Sequence, residues 1–411
     1  MPKKSALLAG LLLILLGAVP LSALGESRLM VVSDLHYLAK ELYEGSELFI
    51  SVMRNGDGKL PQCGEELLQC LVRQVSIEQP DALLVTGDLS FNGEKASHEA
   101  LSRWFGEIEK AGVPVWVIPG NHDINCPSPV GFAENGWYTV ENATEADFAA
   151  LYADFLLPPP AENTGFSYAV KISDTLWAAM TDAAYYRDRA QAFGLFTASH
   201  GEWLEKVLEE AGRAGAQVIT ASHHSLVPHT EFAKESFLMF GHEAMQALLR
   251  RYGVRLHLSG HLHIQHIARM DGLFDAALGA FCAYPHRYAI VTVRDDGSMD
   301  YEAKQLSGQL LPEGFQEMSK AWFEGVTRDK AAAALSAVEA TAEERSAMAD
   351  YAARFNLAYF SGAYQNDDPF WKQDPAFALW QRHKENAFAK YLLWVMEERT
   401  EDNLFLHIPP E

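Results

Sequence analysis

The chain has 411 residues, 48% of them apolar and 21% charged, enough material for a large folded core and a second, smaller unit. Its formal charge of −22 excludes a surface that attracts nucleic acid polymers or anionic membranes. Four cysteines, Cys63, Cys70, Cys126 and Cys282, are too sparse for a disulfide framework and read as small buried side chains.

At the start of the chain, Lys3 and Lys4 precede an apolar stretch from Ala6 to about Leu21, and Ala23-Leu24-Gly25 follows. Basic, apolar and small-residue parts in that order make residues 1–25 a secretory signal peptide. The expectation is an exported protein, extracellular or associated with the cell surface. It would touch a membrane only through an uncleaved signal. Cleavage removes two lysines and no acid, which moves the charge to −24. An anionic substrate then needs a local reversal of the field, and bound cations supply one.

The elements alternate from there. RLMVV, 28–32, is a β-branched apolar run and predicts a strand; residues 65–79 have helical spacing. DALLV, 81–85, predicts a second strand, 98–112 a helix closed by Gly112, and VPVWVI, 113–118, a third strand. Strand, helix, strand, helix, strand is the pattern of parallel βαβ units. Strands follow at 167–172 and 175–182. A helix at 199–215 takes Ser199 as its N-cap, with Glu202 completing a capping box. QVITAS and VRLHLS predict further strands on either side of a helix at 242–253, and three antiparallel strands run from 264 to 306. Beyond about residue 310 the chain is rich in Ala, Glu and aromatics at helical spacing, with 364–375 as a loop. The expected domains are 26–308, α/β, and 309–411, a small all-α domain.

Five of these strands end in polar residues of one kind. VVSDLH ends in Asp34 and His36, LLVTGD in Asp88, VIPGNHD in Asn121, His122 and Asp123, VITASHH in His223 and His224, and LHLSGHLH in His261 and His263. Ligands bind at the carboxyl ends of strands in open α/β sheets. Asp, Asn and His without a thiolate suit Mn, Fe, Zn or Co rather than Cu(I) or an iron–sulfur cluster. Period two puts Asp34 and His36 on one side of an extended segment, and likewise His261 and His263. Asp88, alone between the pairs, can bridge two ions through its two oxygens, and such a pair can clamp a phosphoryl oxygen.

The ordered set DLH, GD, GNHD, SHH and GHLH resembles the calcineurin-like metallophosphoesterases over roughly residues 28 to 300. That resemblance implies a four-layer α/β/β/α sandwich and two divalent metal ions. It implies Asp34, His36, Asp88 and His263 as ligands of one, and Asp88, Asn121, His223 and His261 of the other. A hydroxide bridging the ions would attack phosphorus in line, and His122 would face the substrate as the proton donor or charge stabiliser. Asp123 would fix the loop. His223 is preferred over His224 as ligand because the family's ligand comes directly after the strand. His224 would then stand behind the ligands or face substrate.

His229, just past His224, and Arg287, in FCAYPHRY, are further candidate substrate contacts. His98 reads as structural, Asn92-Gly93 and Asp57-Gly58 as turns, and residues 37–60 as a segment able to cover the site. The helical C-terminal part and GDLSFNGEKASH resemble exported bacterial cyclic nucleotide phosphodiesterase-type members. The resemblance therefore implies a small-molecule phosphodiester substrate, with cyclic nucleotides leading. Sphingomyelinase-like and phosphomonoesterase activities are the enzymatic alternatives. An exported metal- or partner-binding protein is the non-enzymatic one.

Overall fold

A computed structural model describes residues 25–43, 46–159, 163–230, 237–398 and 402–410. The signal sequence expected at 1–25 lies outside the described residues, Gly25 excepted. The chain begins β1 (Glu26–Val32), α1 (Glu47–Arg54), α2 (Gly64–Glu78), β2 (Ala82–Val85), α3 (Lys95–Lys110) and β3 (Val115–Val117). A hairpin, β4 (Val130–Ala133) and β5 (Gly136–Thr139), and α4 (Glu145–Leu151) follow. Next come β6 (Tyr168–Lys171), β7 (Leu176–Thr181), α5 (Ala198–Ala214), β8 (Gln217–Ser222), α6 (His242–Arg251) and β9 (Leu256–Ser259). Then β10 (His266–Met270), β11 (Leu273–Ala277), β12 (Arg287–Arg294) and β13 (Met299–Gln305) complete the α/β part. The helical part holds α7 (Phe315–Ala334), α8 (Ala342–Phe360), α9 (Pro369–Gln373), α10 (Pro375–Arg382) and α11 (Ala387–Glu397), and the chain closes with β14 (Phe405–Ile408).

Two six-stranded sheets face each other, in the orders β14-β13-β12-β1-β2-β3 and β10-β11-β9-β8-β7-β6. Alternation along each strand explains the unbroken apolar runs. Leu29, Val31, Ala82 and Leu84 meet Ala178, Met180, Ile219 and Leu258 between the sheets. Met30, Val32, Leu83 and Val85 point the other way, against Leu67, Leu71, Leu101 and Phe105 of α2 and α3. On the far side Trp177 and Ala179 pack against Trp203, Leu204 and Leu249 of α5 and α6. This is the expected four-layer α/β/β/α sandwich, with β1, β2 and β3 parallel.

Three sequence expectations are corrected. Helix α5 is capped by Thr197, not Ser199: the Thr197 hydroxyl accepts from the His200 amide, and the His200 ring closes the box in place of a Glu. Residues 364–375 are not all loop, because Asp368 caps a short helix begun by Pro369. The C-terminal part is not all helix either. β14 returns to pair antiparallel with β13, with Ile408 opposite Met299. The helical part has its own core, built around Tyr351, Phe355, Trp371 and Trp380. No helix among the described residues is long and apolar enough to cross a membrane. Cys70, Cys126 and Cys282 are buried, and all four cysteines are free, as their sparse spacing suggested.

Candidate metal centre

The loops after β1, β2, β3, β8 and β9 meet at one edge of the sandwich. They bring all seven ligand-type side chains together. Asp34, His36, Asp88 and His263 form one group and Asp88, His223 and His261 a second, with Asp88 common to both. Asn121 joins the second, its Oδ1 lying 3.2 Å from His223 Nε2. Within the first group, His36 Nε2 is 3.0 Å from His263 Nε2, and His263 Nε2 is 3.3 Å from Asp34 Oδ1. Asp88 Oδ2 sits between the groups, 3.5 Å from His36 Nε2 and 3.3 Å from His223 Nε2. Nitrogen and oxygen donors that share one ion at bonds of roughly 2.0–2.2 Å stand about 3 Å apart, so the donor set fits a cation in each group.

The backbone is bent to make this cluster. Asp34, His36, Asp88, His261 and His263 have φ of 55°, 39°, 51°, 66° and 58°, half of the ten non-glycine residues with positive φ among those described. Each such residue costs about 1 kcal/mol or more, so the strain is concentrated where chemistry needs it. Gly120 and Gly260 explain the glycine in two of the motifs. A Cβ at Gly120 would collide with Asp88 Oδ1, and one at Gly260 would lie 2.6 Å from Asp34 Oδ2 and collide with the Ser33 hydroxyl. Backbone amides then aim the carboxylates. His122 N donates to Asp88 Oδ1 at 2.9 Å, and His261 N donates to both Asp34 oxygens.

The second nitrogens of the rings fix tautomers. His223 Nδ1 donates to the Thr86 carbonyl at 2.9 Å and His263 Nδ1 to Asp57 Oδ2 at 2.9 Å, so both present Nε2 to the cluster. Burial opposes charge on these rings. Asp88 nevertheless raises His223 to about 9, and the Asp34 and Asp57 carboxylates raise His263 to about 9. Burial prevails at His36, reinforced by the Lys59 ammonium, and at His261, reinforced by the His224 and His223 rings, and holds both well below the usual histidine range. Positive charge is therefore favoured where a ring meets the Asp34, Asp57 or Asp88 carboxylates most directly, at His223 and His263.

His122 stands at the rim, its ring 5.0 Å from that of His36. Its Nδ1 donates to Asn92 Oδ1 at 2.8 Å and to the Phe91 carbonyl at 3.1 Å. Asp123 accepts from the amides of Leu89, Ser90 and Gly120 and ties the two loops together. His98 is structural, bonded to Tyr152 and the Asp123 carbonyl.

The three candidate substrate contacts are not at the cluster's open side. His224 is buried behind the ligands, its Nε2 spent on the Ala192 carbonyl and its ring 4.4 Å from His261. His229 is corrected: it belongs to a buried knot with His266 and Asp275, in which Asp275 also accepts from the amides of Leu226 and Val227. Arg287 is corrected too, because its guanidinium donates to the Ser361 carbonyl and ties β12 to the end of α8. Two residues read as turns prove functional in position: Asn92 orients His122 and Asp57 orients His263. The only signal in the sequence was their place in polar loops beside the motifs.

A shared carboxylate between two groups of His, Asp and Asn at strand ends, with a histidine on the rim, defines a metal-dependent phosphoester hydrolase. The calcineurin-like phosphoesterase model matches residues 27–265, more than half of the chain, and the chain belongs to that family. Its members use two divalent metals. A second model, the C-terminal domain of cyclic nucleotide phosphodiesterase, matches residues 303–402. A probable glycerophosphodiester phosphodiesterase of Arcobacter nitrofigilis is 23% identical over 247 residues, which is 59% of this chain and 78% of that protein. A probable cyclic nucleotide phosphodiesterase of Synechococcus is 50% identical over 44 residues, 11% of this chain and 16% of that protein. Among solved structures, a dimetal phosphatase of Danio rerio aligns at a TM-score of 0.49 and 17% identity, over 68% of this chain and 96% of that one.

Proposed function

We propose that the protein is an exported phosphodiesterase acting on small phosphodiesters at a dinuclear metal centre, with cyclic nucleotides the first substrates to test. The observation that carries this reading is Asp88 shared between two ligand groups beside His122. Asp34, His36, Asp88 and His263 are assigned to one ion, and Asp88, Asn121, His223 and His261 to the other. Bound there, two divalent ions, manganese first among them, supply positive charge for the phosphoryl oxygens and acidify a water for in-line attack.

The chain's own residues supply the rest. Asn121 offers a neutral oxygen, which leaves more net positive charge at its side of the centre. His122 is held at Nδ1 by Asn92 and Phe91, so its Nε2 is free to carry a proton to the departing oxygen. Asp123 keeps the loop that carries both in register. Ester chemistry of the diester type is favoured by the match of residues 303–402 to a phosphodiesterase C-terminal domain and by the names of the two relatives. Export follows from the basic, apolar and small-residue order of residues 1–25. Mass measurement of the protein recovered outside expressing cells tests it, since an intact leader there would overturn cleavage.

The activity test compares an aryl phosphodiester with the matching monoester after reconstitution with manganese. Wild type is expected to turn over the diester faster. Asn121→Ala is expected to lose metal and rate together. His122→Ala is expected to keep its metal and lose about 100-fold or more in rate. Preference for the monoester would make the protein a phosphomonoesterase instead.

A further inference from the structure

Beside the metal centre lies a cleft of about 590 Å³, which His122 and Asn92 line from one side. Asp57 and Lys59, from the loop after α1, line another part, and Lys330 reaches it from α7 of the helical part. Phe91 contributes an aromatic face, with the Lys59 ammonium 6.0 Å from its ring centre. None of Asp57, Lys59 and Lys330 belongs to a family motif.

The loop carrying Lys59 is pinned by both parts of the molecule. Leu60 N donates to the Cys282 carbonyl at 2.9 Å, and Trp322 Nε1 of α7 donates to the Lys59 carbonyl at 3.2 Å. Gly58, at φ 92°, lies directly under Phe323, where a Cβ would stand 2.5 Å from the ring. The Lys59 side chain is only 15% exposed, yet its nearest anion is Asp57 Oδ2 at 3.5 Å. Its three N–H donors make no shorter bond among the described residues. An ammonium held by one long contact to Asp57 keeps donors turned to the cleft, where an oxygen of an entering anion can accept them. Asp57 keeps the ammonium in place when cations take up the charge of Asp34 and Asp88. The chain as a whole, at −22, offers an entering anion little attraction.

We propose that Lys59 and Lys330 form the anion-binding wall of the substrate cleft. Lys59 contacts an oxygen of the phosphoryl group being transferred, and Lys330 draws the anionic ester in at the mouth. The helical part is then a piece of the substrate site, through α7. The ligand class is an anionic phosphodiester with an apolar or planar alcohol portion against Phe91. This rests on the phosphoesterase reading of the centre, but binding can be tested without turnover.

The test uses the full chain loaded with manganese and three variants, Lys59→Met, Lys59→Arg and Lys330→Met. Three quantities are read: metal content, affinity for inorganic phosphate by calorimetry, and kcat and KM for an aryl phosphodiester. Lys59→Met is expected to keep its metal, bind phosphate about 10-fold more weakly and lose about 100-fold in kcat/KM, with part of both restored in Lys59→Arg. Lys330→Met is expected to raise KM several-fold at unchanged kcat and to flatten the salt dependence of kcat/KM. Lys59→Met with unchanged phosphate affinity and rate would overturn the proposal. Loss of metal in that variant would also overturn it, since Lys59 would then merely support Asp57 and His263. An unaltered Lys330→Met would remove α7 from the site. Lys59-dependent phosphate binding without diester turnover would sink the diesterase reading and leave this one standing.

Discussion

At the residue scale, the motif histidines depend on partners outside the motifs. Asp57 accepts from His263 Nδ1 across 206 positions of chain. Without that carboxylate the ring is free to turn and its Nε2 becomes a poorer donor. Asp57→Asn is expected to weaken metal binding about 10- to 100-fold while the fold persists, read by competition with a fluorescent chelator. His286 illustrates a different cost. It is fully buried, bonded to the Phe281 carbonyl and the Ser319 hydroxyl, and burial lowers it to about 4. The unfolded chain binds that proton near pH 6.5 and the folded chain only near 4, so stability is lost as pH falls between them. The loss reaches about 3 kcal/mol at the acid end of that window. His286 has φ 60°, a conformation that Asn tolerates. His286→Asn is therefore expected to flatten the acid limb of the stability curve, measured by urea unfolding of chelated protein from pH 7 to pH 4.

At the scale of elements, helix ends and strand ends have different determinants. α5 starts where Thr197 can exchange hydrogen bonds with His200, two residues before the Ser-x-x-Glu match that the sequence suggests. Capping boxes are degenerate, and a histidine ring served as well as a carboxylate here. Thr197→Ala is expected to cost about 1 kcal/mol in denaturant unfolding, and Ser199→Ala much less. Strand ends were easier to read. Apolar runs buried on both faces are nearly continuous in sequence, and each stops abruptly at a polar cluster of Asp, Gly, Asn or His. Short elements escaped, among them α1, the β4–β5 hairpin and β11, because their apolar content is set by what covers them.

On the scale of the whole molecule, the helical part holds the metal centre from behind. Leu262 and Ile264 flank His263, and both enter the helical core with Tyr351, Phe355 and Trp380. Trp322 and Phe323 of α7 hold the loop that carries Asp57 and Lys59. β14 then fastens the end of the chain to the first sheet. Leu262→Ala is expected to cost about 2–5 kcal/mol through the cavity it leaves. Because that cavity loosens the turn between two ligands, its metal affinity is expected to fall as well, although Leu262 touches no ion. Thermal unfolding with and without manganese checks this: the metal-induced rise in midpoint should shrink relative to wild type. A rise equal to that of wild type would show that the helical core and the metal loop are independent.

The sequence by itself determined the βαβ alternation, the order of the ligand-bearing strands and all seven ligand-type side chains, while the two-sheet sandwich came with the family resemblance that those motifs carry. Each of those signals is local: a strand's period, a glycine before a carboxylate, a pair of side chains two apart. Only the tertiary structure decided what surrounds them. It removed His229 and Arg287 from the site, brought in Asn92, Asp57 and Lys59, and turned the helical part from a neighbour into a wall of the cleft. Those contacts join segments tens to hundreds of residues apart. No period or spacing in the chain records which distant surfaces will meet once apolar area is buried.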